Sequence, residues 1–567
     1  MTSRGRSRRW GDLLVSVALP VLILGPVLFR GGYLLRGDMV FVPGQPWKPA
    51  WLGLDGAVPR SVPMDAVVWA LGKVMPGAAV QRFFLAGALV LLALGMARLL
   101  KELPAPARYA GMVLACWNPF VYERFAIGQW PCVLACAALP WLLVAAGRLR
   151  DGGATGGRSV AGWMIVLGVC APSMGLVGAL ELACVLLTEP SRRALLIGVV
   201  SVVGANLPWI VPSLLRPGII APRDQFGVFG ASAESGAGSL ASVLSLGGIW
   251  KSSIVPSERS VAVIVVLGAI LALLSLVELW RLSGRYAWCR GLVLAALVSL
   301  GIAWLPALGP VQSLLDDLVG RVPALAILRD STRYLAPAVI AVAVGFGHLC
   351  ARVMSRVAGP AGLAAAGALA LLPVALLPSL ALGLGGFLGT STYPSAWFEA
   401  RRVMAGSGES GTTVVLPWEG SYRGFTWTGE HAVLDPAPRF FPGDVVIDDR
   451  IRLGTRILGS EDPYLRKVGA ALSEDDAATR LARIGVRWVL VESGPRTAVT
   501  PFEGGTVRFE APGLRLVELG GVRHSVRTTP SRGWVLGADF VAISQILVAC
   551  CRRWRISGYG SFTSGGK

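Results

Sequence analysis

Apolar runs of about twenty residues alternate with short basic segments through the first two thirds of the chain. That length is what a helix needs to cross a hydrocarbon core about 30 Å thick. Runs at 12–29, 82–100, 194–214, 260–280, 291–309, 335–353 and 360–386 therefore read as membrane-spanning helices. Two further runs are interrupted. Apolar segments at 109–117 and up to about 147 flank NPFVYERFAIGQWP, from Asn118 to Pro131, and segments at 160–170 and 176–188 flank APSMG. Short halves at membrane depth are tolerated only where protein or a water-filled cavity covers them. Asn118, Glu123 and Arg124 are thus expected to face a cavity on the outer side. A last run at 534–551, interrupted by Asp539, brings the expected count to twelve crossings.

After 386 the period changes. Thr412 to Leu416 and Val486 to Val491 read as buried strands, and Val507 to Phe509 with Leu514 to Val517 as a hairpin around Pro512-Gly513. Ser473 to Asp476 opens a helix that runs to Ile484 and stops at Gly485. The pattern divides the chain into a helical membrane domain at 1–386, a small α/β domain at 387–533, and a final helix with a basic tail at 534–567. Within the loop at 30–79, Ala66 to Met75 reads as a short interfacial helix anchored by Trp69.

Composition agrees. The chain is 54% hydrophobic and only 15% charged, where a soluble domain carries about a quarter charged residues. The net charge of +19 sits in short segments between apolar runs, such as Arg148 and Arg150, or Arg192 and Arg193. That is the positive-inside pattern of a multi-pass membrane protein, and it excludes a nucleic-acid-binding face. It places both termini in the cytoplasm and residues 387–533 outside. The basic start leads into a run too long for a cleaved signal, so the first helix is expected to be retained. All nine cysteines lie in or beside apolar runs, so no disulfide framework holds 387–533. His348, His431 and His524 are widely spread, with no zinc-site spacing.

Candidate chemistry gathers on the outer side. Asp38, in LLRGDMVFVPGQP, lies where the first helix leaves the membrane. It is the leading candidate for a base or orienting acid; the plainer reading is a turn cap paired with Arg36. Glu123 and Arg124 are ionisable residues between short apolar halves, and such residues are functional candidates by default; otherwise they fix the break as a pair. Asn118 and Tyr122 suit binding of hydroxyl groups or helix capping equally well. Arg329 and Arg333, flanking Asp330, suit a phosphate or an ordinary membrane-edge charge cluster. Asp316-Asp317 reads as a loop pair too weak to argue a metal. Trp418 and Tyr422, in LPWEGSYRGFTW, suit a carbohydrate platform or the core of the small domain.

The segments RGDMVFVPGQPW, WNPFVYERFAIGQWP, LRDSTRYLAPAV, VVLPWEGSYRGFTW and IGVRWVLVE together resemble the GT-C superfamily of membrane glycosyltransferases. The chain is similar to bacterial lipid-carrier-dependent glycosyltransferases and to the membrane half of actinobacterial arabinofuranosyltransferases. The resemblance implies transfer of a sugar from a polyprenyl-phosphate donor to an envelope glycan or lipid acceptor at the outer face of the bilayer. The resemblance carries over Asp38 alone, as the catalytic acid or base; on their own chemistry Glu123, Arg124, Asn118, Arg329, Arg333, Trp418 and Tyr422 are the candidates to contact substrate, with Arg124, Arg329 or Arg333 holding the donor phosphate. No cofactor is expected. Many relatives carry paired acids in the first loop, whereas here Asp38 has only Asp55 and Asp65 farther on, so a divalent metal is unsupported. The alternatives are a transporter or flippase of envelope lipids, which would be expected to show an internal repeat, and a non-catalytic scaffold of the same fold.

Overall fold

The computed structural model describes residues 3–551, apart from 154, 217–221, 223, 358, 409–410, 454–455, 495–501, 524–526 and 528. His524 and the basic tail at 552–567 lie outside the described residues. Among the described residues, eight helices are long and apolar enough to cross a membrane: Arg9–Leu28, Gly77–Leu99, Trp130–Arg150, Arg192–Leu214, Ala262–Leu282, Ala287–Ala307, Ser331–Arg356 and Arg532–Cys550. The chain is a multi-pass membrane protein. Ser331–Arg356 is 83% buried along its apolar window and Arg532–Cys550 only 17%, so the first is the centre of the bundle and the second its edge. Ala262–Leu282 exposes Val263, Leu267, Ile270 and Leu274, as a helix against lipid does.

Eight is fewer than the twelve expected crossings, and the difference lies at the interrupted runs. Ala105–Cys116 and Pro119–Ala126 are separate short helices. So are Gly156–Cys170 and Pro172–Leu187. Pro360–Leu376 and Pro378–Gly385 meet at a bend of 73°. In each case a proline opens the second piece, and the residue before it leaves helical geometry: Asn118 at φ −157°, Ala171 at φ −170°, Leu377 at φ −142°. Steric conflict with the proline ring disfavours the helical region for that residue.

The strands are β1 (Tyr33–Leu34), β2 (Thr390–Ser391), β3 (Thr412–Leu416), β4 (Tyr422–Arg423), β5 (Val433–Leu434), β6 (Asp444–Val446), β7 (Ile451–Leu453), β8 (Arg456–Leu458), β9 (Val486–Glu492), β10 (Thr506–Ala511) and β11 (Leu514–Glu518). One five-stranded sheet has the order β10-β11-β9-β3-β6. β3 runs parallel to β6 and β9, and β11 antiparallel to β9 and β10. β3 and β9 are almost wholly buried, which is why Val414 to Leu416 and Trp488 to Val491 are apolar without alternation. The helix expected from Ser473 is found at Ala477–Arg483. Helices Ser395–Gly406 and Pro463–Leu472 also pack on the sheet. The short helix expected at Ala66 to Met75 is found at Met64–Leu71. Asp316 and Asp317 do not lie in a loop: they sit in the helix Gly309–Arg321, whose amphipathic pattern was obscured by flanking glycine and proline.

The first loop is not an independent irregular segment. β1 pairs with β2, and Leu35, Val40 and Val42 are buried in one cluster with Tyr393, Trp397, Phe425, Phe440 and Phe441. Ring centroids there lie 5.0–5.8 Å apart, mostly tilted or edge-on. Such pairs add about 0.5–1.5 kcal/mol each beyond area burial. The Tyr393 hydroxyl donates to the Phe41 carbonyl at 3.0 Å, and Arg401 donates to the Pro43 and Gly44 carbonyls at 3.0 and 2.7 Å.

Lys48 is 5% exposed and donates to the Pro438 carbonyl at 2.6 Å. Burial pushes its ammonium down to about 7, against the pull of Asp444 and Asp55. The folded value lies below the unfolded one, so burial of this charge costs stability in full below pH 7, and the cost disappears as pH rises towards about 10. Stability should rise with pH across that window, and Lys48→Met should flatten the slope in melting curves taken from pH 7 to 10. An unchanged slope would show that Lys48 is not the group responsible.

Candidate functional site

Residues 36–39 form a tight turn closed by the Met39 N–H to the Arg36 carbonyl at 3.0 Å. The turn is gripped from two sides. The Asp38 N–H donates to the Ile127 carbonyl at 2.8 Å, in the break after the helix Pro119–Ala126. The Gly37 N–H donates to the Ala432 carbonyl at 2.9 Å, and the Leu434 N–H returns to the Gly37 carbonyl at 2.8 Å. Two glycines permit this approach. Gly37 sits at φ +54°, and a Cβ there would lie 2.0 Å from the Ile127 oxygen. Gly128, at φ +90°, would place a Cβ 2.2 Å from the Met39 nitrogen. Gly37→Ala combines left-handed backbone strain with a clash against main chain. It should cost well over about 1 kcal/mol, read as a lower melting temperature or lost yield of purified protein. A variant that melts with the parent would show that the turn is free to move.

The turn points Asp38, half-buried, at a polar cluster. The Tyr422 hydroxyl donates to Asp38 Oδ1, and Gln129 Nε2 donates to Oδ2 at 3.2 Å. Gln129 Nε2 is also 3.2 Å from Asp330 Oδ2. Its Oε1 accepts from Arg124 Nη1 and from Arg333 Nε, the latter at 3.3 Å. Arg333 Nε lies 2.7 Å and Arg124 Nη1 3.4 Å from Asp330 Oδ2. Arg124 Nη2 donates to Thr332 Oγ1 at 2.6 Å. The Arg124 side chain is fully buried, whereas that of Arg333 is 30% exposed, so Arg333 is the guanidinium a ligand can reach. Lys251 Nζ lies 5.7 Å from the Tyr422 ring centroid.

The electrostatics follow from burial and these partners. Burial alone would raise the Asp330 carboxyl, but Arg333 and Arg124 hold it below its ordinary value. Burial, then the neighbouring Asp38 charge, pushes the Tyr422 hydroxyl well up, so it stays a donor. Burial pushes Lys251 down, and Asp38 partly restores it. The result is a carboxylate beside a protonated phenol, with cations on its flanks.

Of the residues singled out from the sequence, Asp38, Arg124, Arg333 and Tyr422 come together here. Glu123 does not: it packs with Glu234 and Arg259. A Cβ on Gly247 would sit 2.8 Å from Glu123, 2.7 Å from Glu234 and 2.6 Å from Arg259, so those three groups share one buried space. Asn118 acts as a joint. Its Oδ1 accepts from the Val121 N–H at 3.0 Å, and its Nδ2 donates to the Leu114 and Ala115 carbonyls at 2.9 and 2.8 Å. One side chain thereby closes the end of one helix and the start of the next. Arg329 is bound to Glu461 and to Gln225, the latter at 2.9 Å. Trp418 lines a cavity beside the sheet. Asp55 and Asp65 face Arg527 and Arg439 at 3.8 and 3.1 Å. Among the described residues no three His, Cys, Asp or Glu side chains converge as a metal site.

Gln129, Lys251 and Thr332 were not legible as site residues. Gln129 had one signal, its place in the break GQWP; Lys251 and Thr332 had none.

No protein-family model matches the sequence, and no curated protein does. Solved structures do match. The arabinofuranosyltransferase AftD from Mycobacteria aligns at a TM-score of 0.56 with 17% identity, over 91% of this chain and 40% of that one. A mutant form of it aligns at 0.53 with 16% identity, over 92% and 42%. The Archaeoglobus fulgidus oligosaccharyltransferase aligns at 0.43 with 12% identity, over 86% and 69%, a likeness too low to carry an argument. The chain spans about two fifths of the length of the arabinofuranosyltransferase it matches. With its helical bundle, broken helices and appended sheet, this chain has the fold of that part of the mycobacterial arabinofuranosyltransferase AftD.

Proposed function

We propose that the chain transfers a sugar from a polyprenyl-phosphate donor to an envelope glycan or lipid acceptor. The observation that carries this reading is the convergence of Asp38 with Arg124, Arg333 and Lys251 where the bundle meets the sheet-bearing region. In this reading the acceptor oxygen attacks the anomeric carbon, and its proton passes to Asp38. The bond from that carbon to the phosphate oxygen breaks, and the phosphate leaves with the electron pair. Arg333, with Lys251 on the Tyr422 side of the site, binds the phosphate; Arg124, fully buried, sets the position of Gln129 and Asp330. In this reading the termini are cytoplasmic and the site faces outward, an orientation favoured by the positive-inside pattern of the basic segments.

A non-catalytic scaffold has one observation in its favour: both Asp38 oxygens already accept hydrogen bonds within the protein. The two readings part on one experiment. Purified protein would be incubated with a panel of polyprenyl-phosphate sugars and the products read by mass spectrometry. Release of polyprenyl phosphate supports the transferase. Binding without turnover across the panel, with and without acceptor glycans, overturns it in favour of the scaffold or of a lipid carrier.

A further inference from the structure

A cavity of about 730 Å³ opens beside the sheet, away from Asp38. Leu416 and Pro417, at the carboxyl end of β3, and Val491 and Glu492, at the carboxyl end of β9, all line it. The position is topologically special. From β3 the chain moves out to β6 on one side and returns to β9 on the other. In open α/β sheets the connections diverge at such a reversal, and ligands bind in the crevice left outside the strand ends.

The lining states the chemistry. Six carboxylates and only two guanidinium groups surround the space. Arg450 is already engaged by Asp448 at 2.8 Å and by the Trp418 carbonyl at 2.8 Å. Glu492 is 2% exposed and shares its buried place with Asp435 and with Arg423, whose Nε lies 3.6 Å from it. The half-buried Trp418 ring supplies a flat apolar wall. Excess carboxylate repels phosphates and acidic sugars but accepts hydrogen bonds from hydroxyl groups, and an indole face packs on the apolar side of a pyranose or furanose.

We propose that this cavity is a second site, and that it binds a neutral glycan chain. The segment 417–423 ties it to the first site. Trp418 lines the cavity while Tyr422, four residues on, bonds Asp38, so their Cα atoms are at most about 14 Å apart. Arg423 braces the segment by donating to the Gly420 and Pro417 carbonyls, each at 2.7 Å. That the bound glycan serves as the acceptor rests on the transferase reading; the binding itself does not.

The test uses the full-length protein in detergent micelles. The probes are neutral arabino-, manno- and gluco-oligosaccharides of about five units, an oligogalacturonate of equal length, and penta-lysine, followed by titration calorimetry. At least one neutral oligosaccharide should bind, and the oligogalacturonate at least about tenfold more weakly. Trp418→Ala should weaken neutral-glycan binding about tenfold or more, and Trp418→Phe should restore most of it. Asp317→Asn should leave that affinity within about twofold, since Asp317 lies on the helix Gly309–Arg321 and does not line the cavity. If Trp418→Ala does not fold, Glu419→Gln and Glu503→Gln, both exposed, decide by the same weakening. The proposal is overturned if no neutral oligosaccharide binds at about 10 mM, if these variants leave affinity unchanged, or if penta-lysine binds in place of the glycans. Glycan binding without donor turnover would remove the transferase reading alone; turnover with no glycan binding here would remove this site alone.

Discussion

Asp38→Asn should lower sugar transfer by at least about 10²-fold while the protein stays folded, the loss expected when a positioned base is neutralised. The amide keeps the shape of the carboxylate and still accepts the Tyr422 hydroxyl. Its NH2 group, however, would then face the NH2 of Gln129, which now donates to Oδ2 at 3.2 Å. Gln129 cannot rotate its amide freely, because its Oε1 accepts from Arg124 and Arg333. A small drop in melting temperature is therefore expected beside the loss of turnover. Tyr422→Phe separates the two effects. It removes the donor to Asp38 but leaves the carboxylate, so it should retain activity within about tenfold of the parent. Full activity in Asp38→Asn would remove Asp38 from the chemistry. A loss in Tyr422→Phe as large as that in Asp38→Asn would show that the carboxylate acts only while the Tyr422 hydroxyl holds it in place.

The largest expected effect on stability is at Asp330. Asp330→Ala leaves Arg124, fully buried, and Arg333 facing each other with no carboxylate between them. Stripping one partner from a buried charge network costs about 3–5 kcal/mol. The double variant Asp330→Ala/Arg333→Leu removes one of the stranded cations and should recover part of that loss. The non-additivity should be on the order of 0.5–3 kcal/mol. Thermal unfolding in detergent measures both; additive losses would mean that the two side chains are not coupled. The pH dependence has a definite sign. The two arginines hold the folded carboxyl below its unfolded value. Its contribution is thus present at neutral pH and is lost as pH falls through the carboxylate range. Asp330→Asn should show a flatter acid limb than the parent.

Much of the fold was written locally. The runs at 412–416 and 486–491 are short, apolar and rich in valine, and they are buried strands. The breaks at Asn118 and Ala171 were marked by a following proline, and the backbone leaves the helix at those positions. Ser395–Gly406 and Pro463–Leu472 were hidden because a ten- to twelve-residue helix in mixed polar sequence gives few turns over which a period can be seen. The site was legible only in pieces. Asp38 and Arg124 stood out as charges in apolar surroundings, but their shared partner Gln129 is uncharged and sits at a helix start. Nor does any local period reveal that residues 36–39 rest on 127–128 and on β5. That pairing comes from the topology of the bundle, which brings distant segments together.

The turn that carries Asp38 is held by a main-chain bond from a break near residue 127 and by two more from residues 432 and 434. This has a consequence for biogenesis. Asp38 leaves the ribosome early, but the strand that grips its turn is made roughly 400 residues later. At about 5–20 residues per second, the newborn membrane bundle waits on the order of 20–80 s for the segment that completes the turn carrying Asp38. A half-made chain is by construction without a finished site. Split forms of the protein should regain one only when the two pieces find each other again across the bilayer surface.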